Sequence, residues 1–129
     1  QAEGIGPLRD ALAREPFAWV RARVVEALAE IGGTDVHDDL HARVAGDPAE
    51  EVRTRALRGL ARLAAPGTAA LAEAALEKDE RPAVRAEAAR VLGLLQGTAA
   101  REALQRAAGG DEAVEVREAA RAELRKLGE

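Results

Sequence analysis

The chain has no cysteine, methionine, tyrosine or serine, and only one phenylalanine and one tryptophan. Without cysteine, disulfides and thiolate metal sites are excluded, and the redox compartment is left open. Without serine, cysteine and tyrosine, the usual nucleophiles and phenolic acids are missing, so a catalytic role has little to stand on. With aromatic residues at 2%, the core must be built from small aliphatic side chains, which suits closely packed helices. No apolar run approaches the length of about 20 residues that a membrane-spanning helix needs. No secretory signal is visible. No membrane role is therefore expected, and the expected location is cytoplasmic. Lysine is nearly absent: Lys78 and Lys126 are the only two, and the remaining positive charge is arginine. A net charge of −4 disfavours nucleic acid as the partner, because domains that bind it are ordinarily basic. The chain opens on Gln1 rather than Met, which reads as processing or excision from something longer.

What the chain does contain is a repeat. Val20, Val52, Val84 and Val116 lie 32 residues apart, and each is followed by arginine: Arg21, Arg53, Arg85 and Arg117. The same step relates Leu28, Leu60, Leu92 and Leu124, and then Ile31, Leu63, Leu95 and Leu127. Asp47, Asp79 and Asp111 open three of the four copies. A period of this size signals a solenoid. With alanine, arginine, glutamate and leucine dominant, the fold class expected is all-α. The 129 residues correspond to about one domain.

In order, Gln1 to Gly6 reads as a frayed lead-in and Pro7 to Arg14 as a short helix bearing Leu8 and Leu12. Phe17 to Ile31 reads as a long helix with Val20, Val24, Ala27, Leu28 and Ile31 on its apolar stripe. Gly32-Gly33 ends it. Thr34 is the expected cap of the next short helix, which should bury Val36, Leu40 and Val44. Asp47-Pro48 should start the second long helix, with Asp47 as its cap and Glu50 completing a capping box. Val52, Ala56, Leu57, Leu60 and Leu63 should face inward. The third unit repeats this with Leu71, Ala75 and Leu76, then Val84, Ala88, Val91, Leu92 and Leu95. The fourth uses Ala100, Leu104 and Ala107, then Val116, Ala120, Leu124 and Leu127. Residues 1–129 are thus expected to form a single domain of four helix pairs, 5–32, 33–64, 65–96 and 97–129.

The pattern D-x-x-x-x-V-R-x-x-A-x-x-x-L-x-x-L, clearest from Asp47 to Leu63 and again from Asp79 to Leu95, resembles the HEAT-like repeat of the phycobilisome-lyase type. The first copy departs from it, with Glu15 in place of the aspartate. The resemblance covers essentially the whole chain. It implies a right-handed α-solenoid, an alpha-alpha superhelix, in which the second helix of each pair lines a concave face. It also implies a binding scaffold, with bilin lyase subunits and appendages to enzymes among the family's members. In such arrays Asp47, Arg53, Asp79, Arg85, Asp111 and Arg117 resemble an inter-repeat ladder of bidentate pairs.

At about 100° per residue, positions 19, 23, 26 and 30 align away from the core stripe. Their counterparts are Glu51, Arg55, Arg58 and Arg62, then Ala83, Glu87, Arg90 and Leu94, then Glu115, Ala119, Ala122 and Lys126. The candidate partner-binding residues are Trp19, Arg23, Arg55, Arg58, Arg62 and Arg90. Arg55, Arg58 and Arg62 repel one another on one helix, by a few tenths of a kcal/mol per pair. Two readings offset this. One pairs Glu26 with Arg58, Glu30 with Arg62 and Glu87 with Arg55. The other supplies an acidic partner. Arg90 has no acid one repeat on, which favours the second. Trp19 is equally an interface anchor or a shield, with Phe17, for the end of the stack.

His37-Asp38-Asp39-Leu40-His41 resembles H-E-x-x-H with aspartate for glutamate, but no third histidine or cysteine completes a set. It is read as a solvated face, and no metal or cofactor is expected. The function expected is a non-catalytic interaction module for another protein or peptide with acidic groups. The alternatives are an enzyme-associated, bilin lyase-like subunit and nucleic-acid binding through the arginine stripe.

Overall fold

A computed structural model describes residues 2–128, with side chains from residue 5 onward. Among these residues there are eight helices and no strand. They are α1 (Ala2–Arg14), α2 (Ala18–Ile31), α3 (Thr34–Gly46), α4 (Glu50–Leu63), α5 (Thr68–Lys78), α6 (Pro82–Leu95), α7 (Thr98–Gly110) and α8 (Val114–Lys126). The expected all-helical repeat of hairpins is what forms, but the short-then-long contrast is slight: one residue in the first two pairs, three in the third and none in the fourth, where both helices have 13. The chain divides into two compact units, 1–66 and 67–129. In the first, α1 packs on α2, α3 on α4, and α2 lies beside α4. In the second, α5 packs on α6, α7 on α8, and α6 lies beside α8.

The periodic apolar residues explain this packing. Val36 and Leu40 from α3 meet Val52, Ala56, Leu57 and Leu60 from α4, all fully buried. Val84, Ala88, Val91 and Leu92 of α6, with Leu104 of α7 and Val116 and Ala120 of α8, do the same in the second unit. Each fully buried leucine or valine removes enough apolar area to contribute about 1.5–3 kcal/mol. The last apolar position of each long helix behaves differently from expectation. Ile31 is exposed, and Leu63, Leu95 and Leu127 are only half-buried, because each sits at its helix's final turn or just past it. Val20, Ala27 and Leu71 are also only half-buried. Conversely, Ala22, Val25 and Ala29 are buried, because α2 is gripped by α1 on one side and α4 on another.

The helix starts also differ. α1 already runs from Ala2 through Pro7, so the lead-in expected up to Gly6 is helical from residue 2. Thr34 does not cap α3; it is the first helical residue, and Gly33 holds the cap position at φ 106°, where a side chain would be strained. Asp47 does not cap α4 and Glu50 closes no capping box. Asp47 follows the end of α3, Ala49 holds the cap position, and Glu50 is the first residue of α4. The Asp47 carboxylate instead accepts the Ala49 N–H at 2.9 Å, a local turn that competes with capping. Asp79 and Asp111 make the same turn with Arg81 and Ala113.

Candidate functional site

Two polar arrangements recur on this scaffold. The first is built by the Val-Arg arginines. Arg21 in α2 donates Nε and Nη2 to the two carboxylate oxygens of Asp47 at 2.9 and 3.0 Å. Arg85 in α6 does the same to Asp111 at 3.0 and 3.1 Å. Both are bidentate pairs that reach from one repeat to the next, 26 residues on. The third donor of each arginine turns back to the loop ahead of its own helix. Arg21 reaches the Glu15 and Pro16 carbonyls, and Arg53, Arg85 and Arg117 reach the carbonyls of Asp47, Asp79 and Asp111. The valine–arginine step therefore serves packing and loop closure together: Val52, Val84 and Val116 enter the core, Val20 partly so, while arginine ties the loop down.

The electrostatics follow from this geometry. Burial pushes the Asp47 carboxyl up, but hydrogen bonds from Arg21, Ala49 and Arg43 outweigh it and hold the group below its usual value. Asp111 is lowered in the same way, by Arg85 and Ala113 against its burial. Arg21 and Arg85 are each raised, chiefly by the hydrogen bond to their aspartate. These groups stay ionised and paired, so their role is to hold the repeats together.

The second arrangement lies on the other face of the long helices. Glu26, Ala29 and Glu30 of α2 and Arg55, Arg58, Gly59 and Arg62 of α4 line a groove of about 300 Å³. Ala29 and Gly59 form its floor. A Cβ on Gly59 would come within 3.0 Å of the Ala29 Cβ and 3.2 Å of Leu40 Cδ1, so glycine is what lets α2 and α4 approach this closely. Arg55 is held by Glu26 across the groove and by Glu51 on its own helix at 3.3 Å. The cross-repeat pairing thus differs from expectation: Glu26 takes Arg55 rather than Arg58, because the helices meet 29 residues apart in register rather than 32. Glu30 and Arg62 line the same groove, yet neither forms an ion pair among the described residues. Trp19 and Arg23 continue the exposed face of α2, and Trp19 is 62% exposed.

Arg90, the sixth candidate, lies in the second unit and pairs with Glu87 one turn back at 3.1 Å. The argument that it lacked an acid fails because the acid is on its own helix. Glu87 itself is buried rather than part of an exposed stripe. His37 and His41 are half-buried on α3 beside Asp39, which Arg9 engages at 2.6 Å. Among the described residues no three histidine, aspartate or glutamate side chains converge as a metal site would require. No helix among them is long and apolar enough to cross a membrane.

Two features escaped the sequence reading. Arg43 gives Asp47 a third arm at 3.1 Å, and it has no periodic counterpart, since Ala75 and Ala107 stand in its place. The second is the substitution of Ala29 and Gly59 by Gly93 and Glu123 two repeats on. Position-by-position comparison of the copies carries that signal, whereas a search for shared residues discards it.

Against known proteins, the sequence model for HEAT repeats matches residues 5–80 and 68–129. Among curated proteins no sequence matches the chain. Among solved structures, human deoxyhypusine hydroxylase in complex with glycerol is similar, with a TM-score of 0.76 and 30% sequence identity. That similarity covers 93% of this chain but 42% of the enzyme chain, so the array corresponds to less than half of that protein. The family match extends over nearly every residue and agrees with the four helical hairpins. The chain belongs to the family of HEAT repeats.

Proposed function

We propose that the chain is a non-catalytic interaction module that binds an acidic segment of another protein on the exposed face of α2 and α4. The observation that carries this reading is the groove over Ala29 and Gly59, with three arginines on one wall and Arg62 left without an ion-pair partner among the described residues. A guanidinium presents a rigid fork of donors suited to a carboxylate. Trp19, exposed on the same face of α2, supplies an apolar anchor of the kind enriched at interface hot spots. In the experiment that tests this, a partner is captured from the native source with the unaltered chain and with Arg58→Ala/Arg62→Ala. Loss of that partner, with the melting curve unchanged, supports the reading; equal capture by both chains removes it.

A second reading has its own observation. The similar solved structure is an enzyme that contains such an array over part of its length. On that reading the chain is an enzyme-associated piece, and its partner is a catalytic domain or subunit. Identification of the captured partner separates the two.

A further inference from the structure

We infer that the opening between α5 and α7 takes the guanidinium of an arginine from another protein, bound to Asp111 in the place that Arg43 fills from within the first unit. This goes beyond the interaction reading above, uses other helices and does not depend on it.

The repeat register supplies the comparison. Residues 64 apart occupy equivalent positions, so Asp47 corresponds to Asp111, Arg21 to Arg85 and Arg43 to Ala107. A carboxylate oxygen has room for two hydrogen bonds. Oδ2 of Asp47 accepts from Arg21 Nε at 2.9 Å and from Arg43 Nη1 at 3.1 Å. Oδ2 of Asp111 accepts from Arg85 Nε at 3.0 Å and, among the described residues, from nothing else. Oδ1 is engaged alike in both, by the second nitrogen of the arginine and by a backbone N–H. The two rungs therefore differ by one arm.

The space for that arm is open. A cavity of about 200 Å³ is lined by Glu73, Leu76, Glu77, Ala103, Ala107 and Asp111. It borders both the position from which Arg43 extends in the first unit and the acceptor that Arg43 reaches. The Asp111 side chain on its wall is nine-tenths buried. The first unit also ties α1 to α3, through Arg9 and Asp39. Their counterparts are Glu73 and Ala103, so that tie cannot form between α5 and α7.

The lining selects a guanidinium. In the first unit Arg43 Nε is buried with no hydrogen-bond partner, and Arg9 and Ala13 stand where α5 has Glu73 and Glu77. Glu73 and Glu77 line the opening, and neither forms an ion pair among the described residues. A guanidinium carries five donors in a fixed fork and can serve Asp111 and these acids together, where an ammonium is a compact point charge. Charge agrees. Asp111 and Arg85 cancel as a pair, and Asp79 has a partner. What remains here and in the adjoining opening, which shares Glu77 and Asp111, is Glu73, Glu77, Glu80 and Glu112 against Arg106. With Arg117 counted for its closeness to Asp111, the balance is 2 − 4 = −2. Lys78 and Arg81 line neither opening.

The test uses the intact chain with blocked tetra-arginine, tetra-lysine and tetra-citrulline, followed by calorimetry and by backbone amide NMR shifts. Tetra-arginine should bind one per chain, with the largest shifts around Ala107 and Asp111. Tetra-lysine should bind roughly fivefold more weakly. Tetra-citrulline, which keeps the shape and lacks the charge, should not bind. Ala107→Arg supplies the arm from within and should weaken binding roughly tenfold or more without lowering the melt. Gln105→Arg adds the same charge at an exposed position of α7 outside the opening and should leave binding nearly unchanged. Glu73→Gln/Glu77→Gln should weaken binding roughly fivefold, and it decides the matter if Ala107→Arg does not fold. The inference is overturned if tetra-arginine fails to bind, if tetra-lysine binds as tightly, if Gln105→Arg weakens binding as much as Ala107→Arg, or if Glu73→Gln/Glu77→Gln leaves it unchanged. Dimerisation of the unaltered chain that Ala107→Arg abolishes would give the place to a second copy and overturn its assignment to another protein.

Discussion

The two halves of this chain share a register, a helix order and an apolar pattern, and they differ at a handful of polar positions. In the first unit, Asp47 has a side chain with 0% exposure and receives three arginine donors, two from Arg21 and one from Arg43. In the second, the Asp111 side chain is 10% exposed, and among the described residues Arg85 alone donates to its carboxylate from an arginine. In the first, Gly59 brings α2 against α4 and leaves a groove. In the second, Glu123 stands at the equivalent position and Gly93 makes room for its side chain. The fold is held by what the halves have in common, and the groove over Ala29 and Gly59 stays open where they diverge.

The largest effect should come from breaking the deeper rung. Asp47→Ala strands a buried guanidinium and should cost about 3 kcal/mol, within the range for half of a buried pair. Asp111→Ala, at a more exposed rung without the Arg43 arm, should cost about half that. Urea denaturation of both variants checks the ranking, and equal losses would mean that Arg43 contributes nothing.

Acid should expose the same asymmetry. The folded-state carboxyls of Asp47 and Asp111 lie below their unfolded value of about 3.9. Their stabilisation is therefore complete above that pH and is lost as pH falls through the folded-state values. Melting temperature should drop below about pH 4, and Asp47→Asn should flatten that acid limb more than Asp111→Asn does.

Gly59→Ala should destabilise by about 1–2 kcal/mol. Overpacking against Ala29 and Leu40 costs about 1–3 kcal/mol, partly offset by the better helix propensity of alanine. Gly93→Ala, which installs the residue that Ala29 supplies in the first unit, should be milder, because what it meets is the flexible Glu123 side chain. In a Glu123→Ala background the same change should become stabilising by about 0.5–1 kcal/mol. A double-mutant cycle measures the coupling, and additivity would show that Glu123 does not rest on Gly93. The smallest effect should be at Ala64, held at φ 51°, where Gly32 stands in the first repeat. Ala64→Gly should gain no more than about 1 kcal/mol by relieving the left-handed strain, as a thermal melt would show.

The helices and most of the core were legible because burial in a hairpin obeys the helical period, which any apolar stripe displays. Val36, Leu40, Leu57 and Leu92 could be placed inward from spacing alone. The ends of the stripes could not, since whether Ile31 or Leu63 is covered depends on how far a neighbouring helix extends. The same limit applies at Asp47. Its position before a helix reads as a cap, yet its side chain prefers the turn at Ala49 and the forks of two arginines. The candidate site was half legible. The exposed register of Arg55, Arg58 and Arg62 follows from angle, but the choice of Arg55 by Glu26 is settled by the offset at which α2 and α4 pack.

The repeat, its helical period, the central residues of each apolar stripe and the arginine–aspartate recurrence follow from the sequence, because these are local or strictly periodic and need no knowledge of neighbouring helices. Only the tertiary structure decided that Arg90 is satisfied within its own helix, that Arg62 faces an open groove, and that Glu123 lies on Gly93. Those outcomes depend on interhelical spacing at the level of a single methyl group, and that spacing is fixed by pairs of residues far apart in the chain.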